Sequence, residues 1–203
     1  MVTSRLLTTG LIASTAAEMN RRRFLFSTLG AGTLALGGPW LSTAGATEEE
    51  LAFANFGASV ELLAKDFYTR ALGARIGKAG LLREGRAAAA RHAKALSNLL
   101  VAAGDVAPSE ADFAFRWPAA TFRTSRAATA TGLTILRALG GAYQTAGATV
   151  TEPSYRVLYA SLAGSVGQQI GGLLSLTSRS EVDAFPVAMA LESATNAAER
   201  YLG

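Results

Sequence analysis

Phe53, Phe56, Val60, Leu63, Phe67 and Ala71 recur at steps of three and four residues. That period lays one apolar stripe along a helix over residues 48–72, ended by Gly73 and Gly77. A second stripe reads Leu82, Gly85, Ala89, His92, Leu96, Leu99 and Ala103. It predicts a helix over residues 81–103 that stops at Gly104-Asp105. A proline-bearing loop follows. Ala128, Gly132, Ile135, Leu139, Ala142 and Ala146 then mark a third helix over residues 122–148. A fourth begins at Pro153, a residue suited to a first helical turn, and runs to residue 176. A shorter fifth spans residues 187–202. No segment shows the sustained period-two alternation of a strand. Four long helices and a short tail predict an all-α four-helix bundle with a short C-terminal fifth helix.

Half of the 203 residues are hydrophobic and 17% are charged, which suits a packed core. The net charge of +4 invites a nucleic-acid reading, but its placement argues against one. Arg5, Arg21, Arg22 and Arg23 precede residue 47 against a single acid, Glu18. From Thr47 onward 15 bases meet 14 acids, and no basic stripe is interleaved with aromatics. There is no cysteine, so disulfides, thiolate metal sites, a cysteine nucleophile and a cysteine-linked lipid are excluded. One histidine without an evident acidic orienter gives no support for a catalytic triad.

The N-terminal region has the order of an export signal. Arg21-Arg22-Arg23 is followed by Phe24-Leu25, then an apolar run to Leu41 broken by Gly37, Gly38 and Pro39, then Ala44-Gly45-Ala46 in the A-x-A cleavage spacing. The run is shorter than a spanning helix requires, so no stable membrane span is expected after cleavage. The Arg21, Arg22, Phe24, Leu25 set resembles the twin-arginine signal. Asn20 stands where Ser or Thr is usual, and Phe26 where Lys is frequent. The bland alternative is an uncleaved N-terminal anchor. Residues 1–18 add nothing that export needs, so Met19 is the expected true start. The chain thus divides into an upstream extension 1–18, a signal 19–46 and a helical domain 47–203. The expected destination is periplasmic or extracellular.

"VELLAKDFYTRAL" resembles a helix-one motif, Leu-Glu-x-x-Glu-x-x-Phe-Tyr, of exported ferritin-like proteins, including their desiccation-related branch. Val60-Glu61 matches its start and Asp66-Phe67-Tyr68 its end. "RHAKALSNLLVAAG" resembles the second helix, where Glu-x-x-His precedes leucines and a glycine stop. The loop with Pro108 and Phe113, "GGAYQTAGA" and "DAFPVAMALE" fit the same outline. The resemblance implies a ferritin-like bundle, in which a di-metal centre takes one Glu from each of two helices and a Glu-x-x-His from each of the others. Carried over, Glu61 matches the helix-one ligand and His92 the helix-two histidine. The helix-two glutamate falls at Ala89, the helix-three one near Leu136, and the last Glu-x-x-His near Val166 and Gln169. No shift of register restores the set. There is no Asp or Glu between Glu84 and Asp105, between Asp112 and Glu152, or between Glu152 and Glu181.

Two metal candidates therefore remain, Glu61 and His92, in a vestigial site. The alternative for His92 is a buried imidazole hydrogen-bonded to Glu61 across the bundle, with Gln169 as a further candidate partner. For Glu61 it is an i,i+4 pair with Lys65. Tyr68 and Tyr143 line a redox site or are core residues with satisfied hydroxyls. Gly164, Gly167, Gly171 and Gly172 signal close backbone approach, for helix packing or for a groove. Three functions stay open: a non-catalytic structural, stress-related or partner-binding bundle; a metal-dependent oxidoreductase or iron-handling protein at Glu61 and His92; and a small-molecule binder using the alanine- and glycine-lined interior. The first is favoured, with no catalytic residue and no cofactor expected, residual iron or manganese apart. The expected partners are the twin-arginine translocase during export, and then a second copy or another protein.

Overall fold

A computed structural model describes residues 46–177 and 185–203. Among the described residues there are five α-helices, one 3-10 turn and no strand. Helix α1 spans Glu48–Gly73, α2 Ala79–Ala102, α3 Ser125–Thr149, α4 Pro153–Leu174 and α5 Leu191–Leu202; the 3-10 turn is Glu110–Asp112. The stripes predicted for the first three helices are buried at nearly every position.

The ends of the helices follow local chemistry. Thr47 caps α1 by accepting from Glu50 N, while Glu50 Oε2 accepts from Thr47 N, a reciprocal capping box. Thr124 accepts from Ala127 N and so starts α3 at Ser125 rather than at residue 122. Glu152 caps α4, with Pro153 in its first turn. The fifth helix starts at Leu191, not at residue 187. Residues before it run across α3, where Met189 N donates to Gly141 O and Gln144 Nε2 to Pro186 O. That crossing needs glycine at two adjacent positions. A Cβ on Gly140 would lie 2.5 Å from Pro186, and one on Gly141 2.7 Å from Val187 O.

The contacts fix the directions of the helices. Glu50, at the start of α1, binds Thr151 in the α3–α4 turn, and Phe67, near its end, packs against Gly132 near the start of α3. Helices α1 and α3 are therefore antiparallel. Leu81 at the start of α2 meets Gly172 at the end of α4, so that pair is antiparallel too. It follows that α2 and α3 are parallel, and residues 103–124 must travel the length of the bundle between them. The four long helices therefore form a bundle with one long crossover connection. The crossover is pinned by aromatic packing and by one acid. Trp117 contacts Phe67, Phe122 and Tyr201 with ring centroids 5.4–5.8 Å apart. Its Nε1 donates to Asp66 Oδ2 at 2.7 Å, an oxygen shared with Arg70.

Candidate functional site

A polar constellation interrupts the apolar interior. Glu61 lies midway along α1 and is fully buried. His92 of α2 shares a hydrogen bond with it, Nδ1 to Oε1 at 2.9 Å. Tyr143 of α3 donates its hydroxyl to the same oxygen at 3.0 Å. Further along the α1 stripe, Tyr68 donates to Gln169 Oε1 of α4 at 3.0 Å. All four bundle helices thus contribute a polar group. The Glu61–His92 pairing anticipated across the bundle is present. The Glu61–Lys65 pair is not, because Lys65 reaches outward to Glu110 on the crossover. Gln169 bonds Tyr68 rather than His92.

Two tyrosine rings reach the interior because glycine clears their paths. A Cβ on Gly57 would stand 2.9 Å from Tyr143 Cε1, and one on Gly85 2.4 Å from Tyr68 Cζ. Gly57 precedes Glu61 by four residues, and Gly85 precedes His92 by seven, so each glycine shares a helix face with the polar residue it serves. The glycines of α4 divide differently. Gly164 has open space at its Cβ position, whereas a Cβ on Gly172 would lie 2.9 Å from Leu81. Close approach is therefore present at Gly172 and not at Gly164.

Burial pushes the Glu61 carboxyl above its ordinary range, and the bonds from His92 and Tyr143 offset part of that rise. Burial also raises the Tyr143 and Tyr68 hydroxyls, and the nearby Glu61 charge raises them further. Both tyrosines stay protonated donors at physiological pH. Two buried atoms of the constellation, Glu61 Oε2 and Gln169 Nε2, have no hydrogen-bond partner among the described residues.

The remaining positions matched to ferritin-like ligands carry Ala89, Leu136 and Val166, all buried. One carboxylate and one imidazole fall short of the three protein ligands a catalytic metal takes. Among the described residues, no three of His, Cys, Asp and Glu come together to hold an ion. A carboxylate-bridged di-metal centre does not fit this set. A groove of about 470 Å³ along α3 and α4 is lined by Tyr143, Gln144, Gly147, Ala148, Ala160 and Ala163. Apart from Tyr143 and Gln144 its lining is glycine and alanine, and the Gln144 amide is already committed to Pro186 O.

A second buried carboxylate was not anticipated. Glu50 Oε1 accepts from Thr151 N, Thr151 Oγ1 and Glu152 N at 2.9, 3.1 and 3.2 Å, while Oε2 holds Thr47 N at 2.8 Å. Burial alone would raise this carboxyl. The hydrogen bonds from Thr47, Glu152 and Thr151 outweigh it, and the acid sits below its ordinary value. The Thr47-x-x-Glu50 spacing is a capping-box signature that could have flagged it.

Arg21, Arg22, Phe24, Leu25 and Ala44 lie outside the described residues. Ala46 is half-buried, one residue ahead of the Thr47 cap. Among the described residues no helix is long and apolar enough to cross a membrane. Comparison with family models, curated proteins and solved structures finds no match for this chain.

Proposed function

We propose that this protein is an exported bundle of the ferritin-like type that has lost its di-metal centre and acts without catalysis, as a structural, stress-related or partner-binding protein. One observation carries the reading. Glu61, the matched helix-one ligand, is engaged by His92 and Tyr143, while Ala89, Leu136, Val166 and Gln169 stand where the resemblance puts most of the other donors. Two tyrosine rings, admitted by Gly57 and Gly85, occupy interior volume beside it. The arrangement packs and orients α1, α2 and α3. It presents no acid–base pair to a substrate, since Glu61 is fully buried.

A second reading is favoured by the partnerless Glu61 Oε2: an atypical iron or manganese site at Glu61 and His92 in an oxidoreductase or iron-handling protein. Elemental analysis separates the two. Protein purified from cells supplied with iron, manganese and zinc is compared with His92→Gln. Fewer than about one metal per ten chains is expected. Near-stoichiometric metal that disappears in His92→Gln overturns the first reading. Export is tested separately, by following the fractionation of the Arg21→Lys/Arg22→Lys variant. Unchanged export of that variant rules out the twin-arginine route.

A further inference from the structure

The near-neutral charge of the helical domain conceals a separation of charge that the topology creates. The α1–α2 turn, the first turns of α2, the entry to α3 and the end of α4 meet at one end of the bundle. Gly77 faces Leu176 there, Leu81 faces Gly172, and Phe122 packs on Phe67. Arg75 and Lys78 lie on the turn, Arg83 and Arg86 on α2, and Arg123 and Arg126 at the start of α3. All six are exposed. Among the described residues none of the six has an ion-pair partner. Glu84 lies among them and Asp66 is taken by Arg70 and Trp117, while Glu199 and Arg200 reach the same end beside Tyr201, which packs on Trp117, and offset one another in charge. Residues 178–184, outside the described set, add one base and two acids in sequence.

The opposite end is acidic. It carries Glu48, Glu49 and the buried Glu50 of α1, Asp105 beyond α2 and Glu152 before α4, against Arg156. Helix dipoles do not produce this polarity, because each end collects two N-termini and two C-termini and their fields cancel. Side chains produce it. The helices are 22–26 residues long, which separates the two ends by roughly 35 Å, several Debye lengths at physiological salt.

We propose that the basic end is a docking surface for a phosphate-bearing lipid bilayer, on which the bundle stands end-on. Five of the six cations are arginines, whose planar forks suit phosphate oxygens. They spread over the cross-section of the bundle, roughly 20 Å wide, rather than along one groove. No exposed aromatic side chain lies among them to stack on bases, which argues against single-stranded nucleic acid. A planar anionic surface attracts this end and leaves the acidic end beyond screening range, so the charge separation fixes orientation as well as binding.

The test is co-sedimentation of the full chain with phosphatidylglycerol-containing vesicles and with phosphatidylcholine vesicles. The variants are Lys78→Gln/Arg83→Gln/Arg86→Gln/Arg126→Gln and, as a control for the N-terminal bases, Arg21→Gln/Arg22→Gln/Arg23→Gln. Near an anionic surface each removed charge weakens binding by about fivefold, so the quadruple variant is expected to bind anionic vesicles about 10²–10³-fold more weakly. Helical circular dichroism should be unchanged. Inorganic phosphate at constant ionic strength should not displace the protein; displacement would assign the site to free phosphate instead. The proposal is overturned if the quadruple variant binds as the parent does, or if the N-terminal variant alone accounts for the loss. Tighter retention by duplex DNA than by vesicles overturns it in favour of a soluble polyanion.

Discussion

Glu50→Gln tests the clamp that ties the start of α1 to the α3–α4 turn. The carboxylate accepts four hydrogen bonds, three on Oε1 and one on Oε2. A glutamine keeps one oxygen. If that oxygen faces Thr151 and Glu152, the new amide NH₂ points at Thr47 N–H, donor against donor. If it is flipped, three donors lose their acceptor. The favourable orientation still gives up one charge-assisted bond and leaves opposed donors, each change costing about 1–3 kcal/mol. The three bonds it keeps lose their charge assistance. A destabilisation of about 2–4 kcal/mol is expected. With a urea m-value of about 2 kcal/mol/M, the midpoint falls by about 1–2 M. The pH dependence has a definite sign. Glu50 is held below 4.5, so its contribution is present above that value and is lost as pH falls through the folded value. Glutamine does not titrate, so the gap between parent and variant narrows in acid. A midpoint shift below about 0.3 M at neutral pH would refute the clamp. A gap of constant size down to pH 3 would show that the carboxylate charge is not its cause.

Gly85→Ala places a Cβ 2.4 Å from Tyr68 Cζ, and that ring is buried and held by Gln169. Overpacking outweighs the better helix propensity of alanine, for a net loss of about 1–2 kcal/mol by chemical denaturation; a stabilised variant refutes the contact. Tyr143→Phe removes a donor to Glu61 and is expected to cost about 1.5–3 kcal/mol at neutral pH. Because Glu61 is raised, its protonated form favours the fold: stability is present below 4.5 and is lost as pH rises through the folded value. Losing Tyr143 raises that value further. The deficit should therefore be larger at pH 7 than at pH 4, and a deficit that grows in acid contradicts the assignment.

Three of the four long helices were legible because burial imposes the 3.6-residue period on them, and the fourth because Pro153 marks its first turn. Phe53 to Ala71 could be read as one face without knowing what it met. Partners from other elements were less legible. Lys65 pairs with Glu110, 45 residues away, which overrides the i,i+4 alternative on its own helix. Residues 187–190, expected in the fifth helix, lie outside it, because Met189 bonds Gly141 and Thr145 of α3 instead of its own helix. The polarity of the two ends could not be read at all, since it depends on the crossover returning α3 to the end where α2 begins. In the candidate site, the pairing of Glu61 with His92 was one of two alternatives, because His92 lay mid-stripe but Glu61 stood at the margin of its stripe, within reach of Lys65 as well. Tyr143 as the second donor did not, because periodicity marks a tyrosine as buried without saying where its hydroxyl goes.

What a buried Glu61–His92–Tyr143 cluster does in a non-catalytic bundle is a question of register. Replacing a buried polar or ionic cluster by apolar residues of similar volume is often neutral or stabilising, so stability is weak grounds for its presence. Between Leu82 and Leu96 the inner face of α2 carries Gly85, Ala88, Ala89 and Ala93. Small, similar side chains discriminate poorly between registers one helical turn apart. A slip of about 5.4 Å would leave Glu61 buried without His92 and would drive the Tyr68 ring off Gly85 into a Cβ-bearing neighbour. The cluster therefore penalises the wrong registers more than it favours the right one. The expected consequence is a dissociation of stability from uniqueness. A Glu61→Met/His92→Leu/Tyr143→Phe variant should retain parental stability within about 1 kcal/mol, or exceed it, yet show broadened or duplicated amide resonances along α2. Sharp, single resonances at parental stability would remove the register role. They would leave the partnerless Glu61 Oε2 as evidence for a ligand that the cluster is kept to bind.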